Sequence, residues 1–166
     1  MKVLLINPSS EQELIGNNPA IIEEERGYNP PLGLLYVASY LEARAVHEIA
    51  VIDAQVEELS YPHLAERIKQ YAPDVVGMTA MTFTLLDVIQ TIQLVKANAP
   101  DAHVVIGGPH AHLFPEETLN LPGVDFVVVG EREEVFSQLV QHIDDPEQLM
   151  QIRGLFFRHA GQVIKT

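Results

Sequence analysis

The chain of 166 residues contains no cysteine and no tryptophan. Without thiols it can form no disulfide, no thiolate zinc site and no iron–sulfur cluster from its own side chains. That absence suits the cytosol. No apolar run approaches the ~20 residues that span a bilayer. The apolar start, Met1 to Ile6, is cut short by Asn7-Pro8, unlike a secretory signal. Basic residues are few, with 10 Lys and Arg against 23 Asp and Glu and a formal charge of −13. A phosphate backbone would be repelled by that charge, which argues against nucleic acid. There is no internal repeat and no low-complexity segment. The expectation is a soluble, cytoplasmic protein with neither a nucleic-acid nor a membrane partner.

What is present is a regular alternation. Short β-branched runs lie at Lys2–Ile6, His47–Asp53, Val75–Thr79, His103–Gly108 and Val124–Gly130, most of them opened by Pro-Asp or Pro-Gly. Such runs read as buried parallel strands. Helical patterns fall between them, over Leu32–Glu42, Pro62–Tyr71, Leu85–Val95, Pro115–Leu119 and Glu131–Ile143, several with the three-and-four apolar spacing of an amphipathic helix. Strand–helix alternation predicts an α/β fold. With right-handed crossovers the expected form is a flavodoxin-like, doubly wound, five-stranded parallel sheet in the order 2-1-3-4-5. Two runs about His159-Ala160-Gly161 predict a C-terminal β-hairpin. We divide the chain into a Rossmann-like domain, 1–145, and a linker with hairpin, 146–166. In such sheets ligands sit beyond the carboxyl ends of the strands, at the switch point between the first and third. The connection from Pro8 to Pro30 is long for a structureless loop and carries Glu23-Glu24-Glu25.

The loops at that edge discriminate between ligands. The first turn, Asn7-Pro8-Ser9-Ser10, lacks the Gly-x-Gly-x-x-Gly of a dinucleotide site and the lysine of a P-loop. The third strand ends in Thr79 rather than in the acid of a phosphoacceptor domain. Ser9-Ser10 is only a faint echo of a flavodoxin phosphate loop. The fourth strand ends in Gly107-Gly108-Pro109, where a missing Cβ would let the backbone approach a large ligand. Thr79-Ala80-Met81 ends the neighbouring strand and supplies a small slot with one hydroxyl donor. A buried heterocycle with one ring nitrogen would need such a donor.

Asn29-Pro30-Pro31-Leu32-Gly33-Leu34-Leu35-Tyr36, Pro73-Asp74-Val75-Val76-Gly77-Met78-Thr79, Ile106-Gly107-Gly108-Pro109-His110 and Val129-Gly130-Glu131-x-Glu133 occur in order. Together they resemble the N-terminal cobalamin-binding domain of cobalamin-dependent radical S-adenosylmethionine enzymes, of which the anaerobic magnesium-protoporphyrin monomethyl ester cyclases are one kind. The resemblance covers nearly the whole chain. It implies that Thr79 and Met81, with Ala80 and Thr82 beside them, line a slot for the dimethylbenzimidazole tail, Thr79 being the donor. It implies that the tail passes Gly107 and Gly108, with Pro109 and His110 next to it, and that Gly130 and Glu131 border the same pocket. Asn7 and Pro8, with the long loop to Pro31, would approach the lower face of the corrin, and Gly33 is a further candidate for contact with the cofactor. The chain lacks the Asp-x-His-x-x-Gly motif whose histidine ligates cobalt in mutases and methionine synthases. No histidine ligation from this chain is therefore expected. It also lacks Cys-x-x-x-Cys-x-x-Cys, so the iron–sulfur cluster and S-adenosylmethionine would belong to a separate catalytic domain, in the same longer chain or in a partner. The substrate stays open between methylation and tetrapyrrole ring formation.

Plainer readings stand beside these. Gly107-Gly108-Pro109 could be only a tight turn, and His110 and His112 offer no third ligand for a protein-only metal site. His47, His63, His103, His142 and His159 read as surface residues. Glu131, Glu133 and Glu134 read as acids at a helix start. A flavodoxin-like flavin or nucleotide domain, or a non-binding interaction module, would share this architecture. No side chain stands out as catalytic.

Overall fold

A computed structural model describes residues 1–12, 29–44, 47–130 and 132–166, apart from the side chain of Arg132. Residues 13–28 of the long connection after the first strand, with its glutamates at 23–25, lie outside the described residues, as does Glu131. The chain begins with β1 (Lys2–Asn7), then α1 (Leu32–Glu42), β2 (Glu48–Asp53), α2 (Tyr61–Tyr71) and β3 (Val75–Thr79). A 3₁₀ turn, Thr82–Thr84, leads into α3 (Leu85–Asn98). Then come β4 (His103–Gly107), α4 (Pro109–Leu113), α5 (Pro115–Leu119), β5 (Phe126–Val128), α6 (Arg132–Gln141) and α7 (Pro146–Leu149). The hairpin β6 (Leu155–His159) and β7 (Gln162–Lys165) closes the series.

The strands form one sheet in the order β2-β1-β3-β4-β5-β6-β7. The first five are parallel, as expected, and β6 and β7 join antiparallel. The hairpin therefore extends the sheet, with Phe157 opposite Phe126.

Alternation along the strands builds two cores. Val3, Leu5, Val75 and Val105 face α1 and α6, where Leu34, Val37, Leu41, Leu139 and Val140 meet them. Leu4, Ile6, Val76, Met78 and Val104 face the other way, against Leu64 and Ile68 of α2 and Val88, Ile92 and Val95 of α3. Because both faces are covered, the strands read as continuous apolar runs rather than as alternating ones.

Three local features differ from the sequence reading. β5 spans 126–128 rather than 124–130, and Asp125 just before it bonds β4 twice, its N–H donating to Val104 O at 3.0 Å and its side chain binding the same strand. Its carboxylate accepts from the Val104 N–H at 2.8 Å and from Lys96 Nζ at 2.9 Å. His110-Ala111-His112 lies on the short α4, where Pro109 fixes the first helical φ. Of the five histidines read as superficial, His63 and His159 are exposed, while His47, His103 and His142 are half-buried.

Asp125→Ala should destabilise the domain by about 1–3 kcal/mol, the cost of leaving a buried N–H unpaired. Urea unfolding monitored by circular dichroism measures it. An unchanged midpoint would show that water replaces the carboxylate freely.

Candidate cofactor-binding site

The parallel strands end together at Asn7, Asp53, Thr79, Gly107 and Val128. After β1 the chain returns over the α1 face, and after β3 it returns over the α3 face. The order thus reverses between these strands, which opens a crevice at their carboxyl ends. In it lies a slot of about 40 Å³ between the sheet and the helices α1 and α6. Its floor includes Leu5, Gly77, Thr79 and Gly107, and its roof includes Gly33, Leu34, Val37 and Phe136.

The pleat of β3 explains the floor. Val75, Gly77 and Thr79 share one face, so the Thr79 hydroxyl is carried on the slot side. Gly77 is the bare spot. A Cβ there would lie 2.7 Å from Leu5 Cδ2 and 2.9 Å from Phe136 Cε2. The ring of Phe136 thus occupies the space that a side chain at position 77 would take. Among the described residues the Thr79 hydroxyl makes no hydrogen bond.

Gly108 also borders the slot, but for a reason other than the expected one. Its φ is +105°, and a Cβ would lie 2.6 Å from both the N and the O of Ala80. The backbone approaching it is the protein's own. Ala80 N–H donates to Gly107 O at 2.8 Å, and His110 N–H donates to Ala80 O at 3.0 Å. The two loops are thereby stitched edge to edge, and only glycine fits between them.

The structure brings Gly33, Thr79, Gly107 and Gly108 together at the slot. Ala80 is buried toward the opposite core. Met81 and Thr82 are exposed on the rim rather than inside it. His110 is 6% exposed; its Nδ1 lies 3.0 Å from Thr82 Oγ1 and its ring packs on Phe114. Pro109 is exposed at the start of α4. Pro31 caps α1 without a side-chain bond. Asn7 donates through Nδ2 to Asp53 Oδ1 at 2.8 Å, and Pro8 beside it is buried. Gly130 is exposed beyond β5. Leu32, Val56, Met81, Leu86, Leu113 and Phe114 are all exposed, and all stand on segments that follow a strand's carboxyl end. Exposed polar residues, Glu57, Glu58, Thr82 and His112 among them, share those segments, so this edge is mixed in character. Among the described residues no group of His, Asp and Glu could hold a metal ion.

A second cluster was not anticipated. Asp87, in the first turn of α3, is fully buried. It accepts from Tyr61 Oη at 2.5 Å and from the Gln12 N–H at 3.1 and 3.2 Å. Burial, and then the hydrogen bond to Asp87, push the Tyr61 phenol up to about 12.

Comparison with known proteins shows the family. The B12 binding domain profile matches residues 19–140. An uncharacterised methyltransferase of Pyrococcus horikoshii is 36% identical over 98% of this chain and 34% of its own length. The anaerobic magnesium-protoporphyrin IX monomethyl ester cyclase of Rubrivivax gelatinosus is 33% identical over 87% of this chain and 25% of its own length. The chain thus spans between a quarter and a third of these relatives. Two solved structures share the fold. One is the radical S-adenosylmethionine methyltransferase TsrM from Kitasatospora setae with cobalamin and a [4Fe-4S] cluster bound. It has a TM-score of 0.75 and 19% identity over 99% of this chain and 30% of that one. The other is the cobalamin-dependent S-adenosylmethionine radical enzyme OxsB, with a TM-score of 0.76 and 17% identity over 98% of this chain and 21% of that one.

Because the phenol of Tyr61 is raised from 10.0 to about 12, its protonated form favours the fold. That contribution should be complete below pH 10 and disappear as pH rises from 10.0 to about 12. The urea midpoint of the native chain should therefore fall more steeply across this window than that of Tyr61→Phe. Parallel decline of the two proteins would contradict the assignment.

Proposed function

The chain belongs to the B12 binding domain family, and from that membership we propose that it holds cobalamin along the carboxyl edge of its sheet, with the nucleotide tail in the slot under α1 and α6. The observation that carries this reading is the slot itself, which has apolar walls and one hydroxyl on its floor at the carboxyl edge of the sheet. A dimethylbenzimidazole ring needs apolar walls and one donor for its ring nitrogen, and Thr79 supplies that donor. In size the slot is a closed version of what is needed. Its 40 Å³ compares with the roughly 150 Å³ of a cavity that takes a benzene-sized ring. Phe136 is the adjustable part. Its ring rests over the bare backbone of Gly77, and swinging it aside opens the slot without moving the sheet.

Gly33, Gly107 and Gly108 border the tail's path, with Ala80 and Pro109 supporting the stitched loops behind it. Met81, Thr82 and His110 lie on the rim beneath the corrin. Asn7, Pro8 and Pro31 approach its lower face, and Gly130 closes the far side, while Glu131, expected beside it, lies outside the described residues. None of these side chains is assigned as a cobalt ligand. Bound cobalamin supplies a cobalt centre able to carry a methyl group or to enter radical chemistry. The chain's own residues contribute position, shielding from water and a fixed orientation.

We further propose that the whole protein is a cytoplasmic, cobalamin-dependent radical S-adenosylmethionine enzyme, a methyltransferase or tetrapyrrole cyclase. Its iron–sulfur cluster would sit in a separate catalytic domain. The relatives' greater length and their names support this. The hairpin is tied back to the sheet, the Gly154 N–H donating to Thr166 O at 3.1 Å and the Val129 N–H to Gly154 O at 2.8 Å.

Thr79→Val keeps the shape and removes the hydroxyl. Its affinity for hydroxocobalamin, measured by absorption titration, should fall by about five- to tenfold, the loss of roughly one hydrogen bond. Its affinity for cobinamide, which has no nucleotide tail, should not change. An unaltered hydroxocobalamin affinity would remove Thr79 from the tail's environment.

A further inference from the structure

Among the described residues Asp87 is the only fully buried carboxylate. Burying a charge costs several kcal/mol unless hydrogen bonds replace the lost water. An aspartate in a helix's first turn favours the positive end of the dipole just as well from an exposed position. Burial here achieves something else, namely reach between distant segments. The carboxylate ties Gln12, 75 positions away, and Tyr61, 26 positions away, to the start of α3. The Gln12 side chain closes the triangle, donating to Tyr61 Oη at 3.0 Å.

The segment so held is Asn7–Gln12, the first turn beyond β1. Its near end is fixed independently. Asn7 Nδ2 donates to Asp53 at 2.8 Å, and Ala54 N–H donates to Asn7 O at 3.0 Å. Between the two anchors Ser9 is buried, and its Oγ accepts from the Glu11 N–H at 3.3 Å. A stretch of six residues leaves the sheet at the ligand edge and is secured at both ends by acids from other elements.

We propose that Asp87, together with Tyr61, is a positioning residue for cobalamin: it holds the backbone of Asn7–Gln12 in its cofactor-meeting shape before the cofactor arrives. The proposal rests on the cobalamin reading of the site. A loop ordered in advance spares binding the entropy of ordering it, so loss of the anchor weakens affinity without touching any contact to the ligand.

Asp87→Leu removes the acceptor at similar volume, Asp87→Asn keeps an acceptor oxygen, and Tyr61→Phe removes one donor. Two quantities are measured at a temperature where circular dichroism shows each variant folded. They are the amide exchange rate of Gln12 without ligand and the dissociation constant for hydroxocobalamin. For Asp87→Leu we expect both to rise about tenfold, consistent with losing a charge-assisted bond. Asp87→Asn should restore most of the loss, and Tyr61→Phe should fall between. A lowered melting temperature with unchanged dissociation constants, or an unchanged Gln12 exchange rate, would overturn the proposal and leave Asp87 a structural residue. If Asp87→Leu does not fold, Tyr61→Phe decides alone, and an unweakened affinity overturns the proposal. A native chain that retains no hydroxocobalamin overturns the cobalamin reading itself, whereas native binding with unaffected variants overturns only the role of Asp87.

Discussion

A parallel sheet must carry its chain back across one face after every strand, and the change of face between β1 and β3 determines the rest of this molecule. α1 returns over one face, α2 and α3 over the other, and α6 comes back to the first. The strand ends at the reversal cannot be covered by either set of helices. A crevice there is a consequence of connectivity before any residue is chosen to line it. The sequence then decides what the crevice is. Gly77 and Thr79 take the positions of β3 that face α1 and α6. Phe136 fills the gap between them, and Leu32, Met81, Leu113 and Phe114 leave apolar side chains exposed around it.

The two halves of the site are held differently. The β3 and β4 loops are stitched backbone to backbone through Ala80, Gly107 and His110, with Gly108 the only residue type that the contact admits. Such a pair is rigid because no side-chain rotamer can loosen it. The turn after β1 has no strand partner beyond Asp53 and is secured by side chains instead, Asp53 at one end and Asp87 at the other. The slot between these fixed walls is closed by one aromatic ring over a glycine. The expected behaviour is a stiff frame with one movable part. That suits a member of the B12 binding domain family.

The strand–helix alternation and the parallel order were legible because a sheet buried on both faces produces short, uninterrupted β-branched runs. The hairpin was legible from its turn, though its incorporation into the sheet was not, since pairing partners distant in sequence leave no local pattern. At the site, Thr79, Gly107 and Gly108 were visible as small residues at strand ends. The physical reason assigned to Gly108 differed, because a close approach by a ligand and one by the chain's own backbone ask for the same residue. Gly77 could have been found from the period of two in β3. Phe136 could not, because a phenylalanine on a helix face reads as core wherever it points. Asp87 and Tyr61 were hidden for a related reason. An acid in a helix's first turn and a tyrosine at a helix start each have a sufficient local explanation, and their pairing across 26 positions appears only in three dimensions.

We propose that this sheet edge receives a corrinoid without giving its cobalt a histidine. The decisive experiment mixes the chain with hydroxocobalamin, removes the free cofactor by gel filtration and records the absorption spectrum of the protein fraction. Corrinoid absorbance should stay with the protein, and the spectrum should show no nitrogen ligand on the cobalt, neither the displaced tail base nor an imidazole. A colourless protein fraction, or a retained corrinoid with a nitrogen-ligated cobalt, would contradict it.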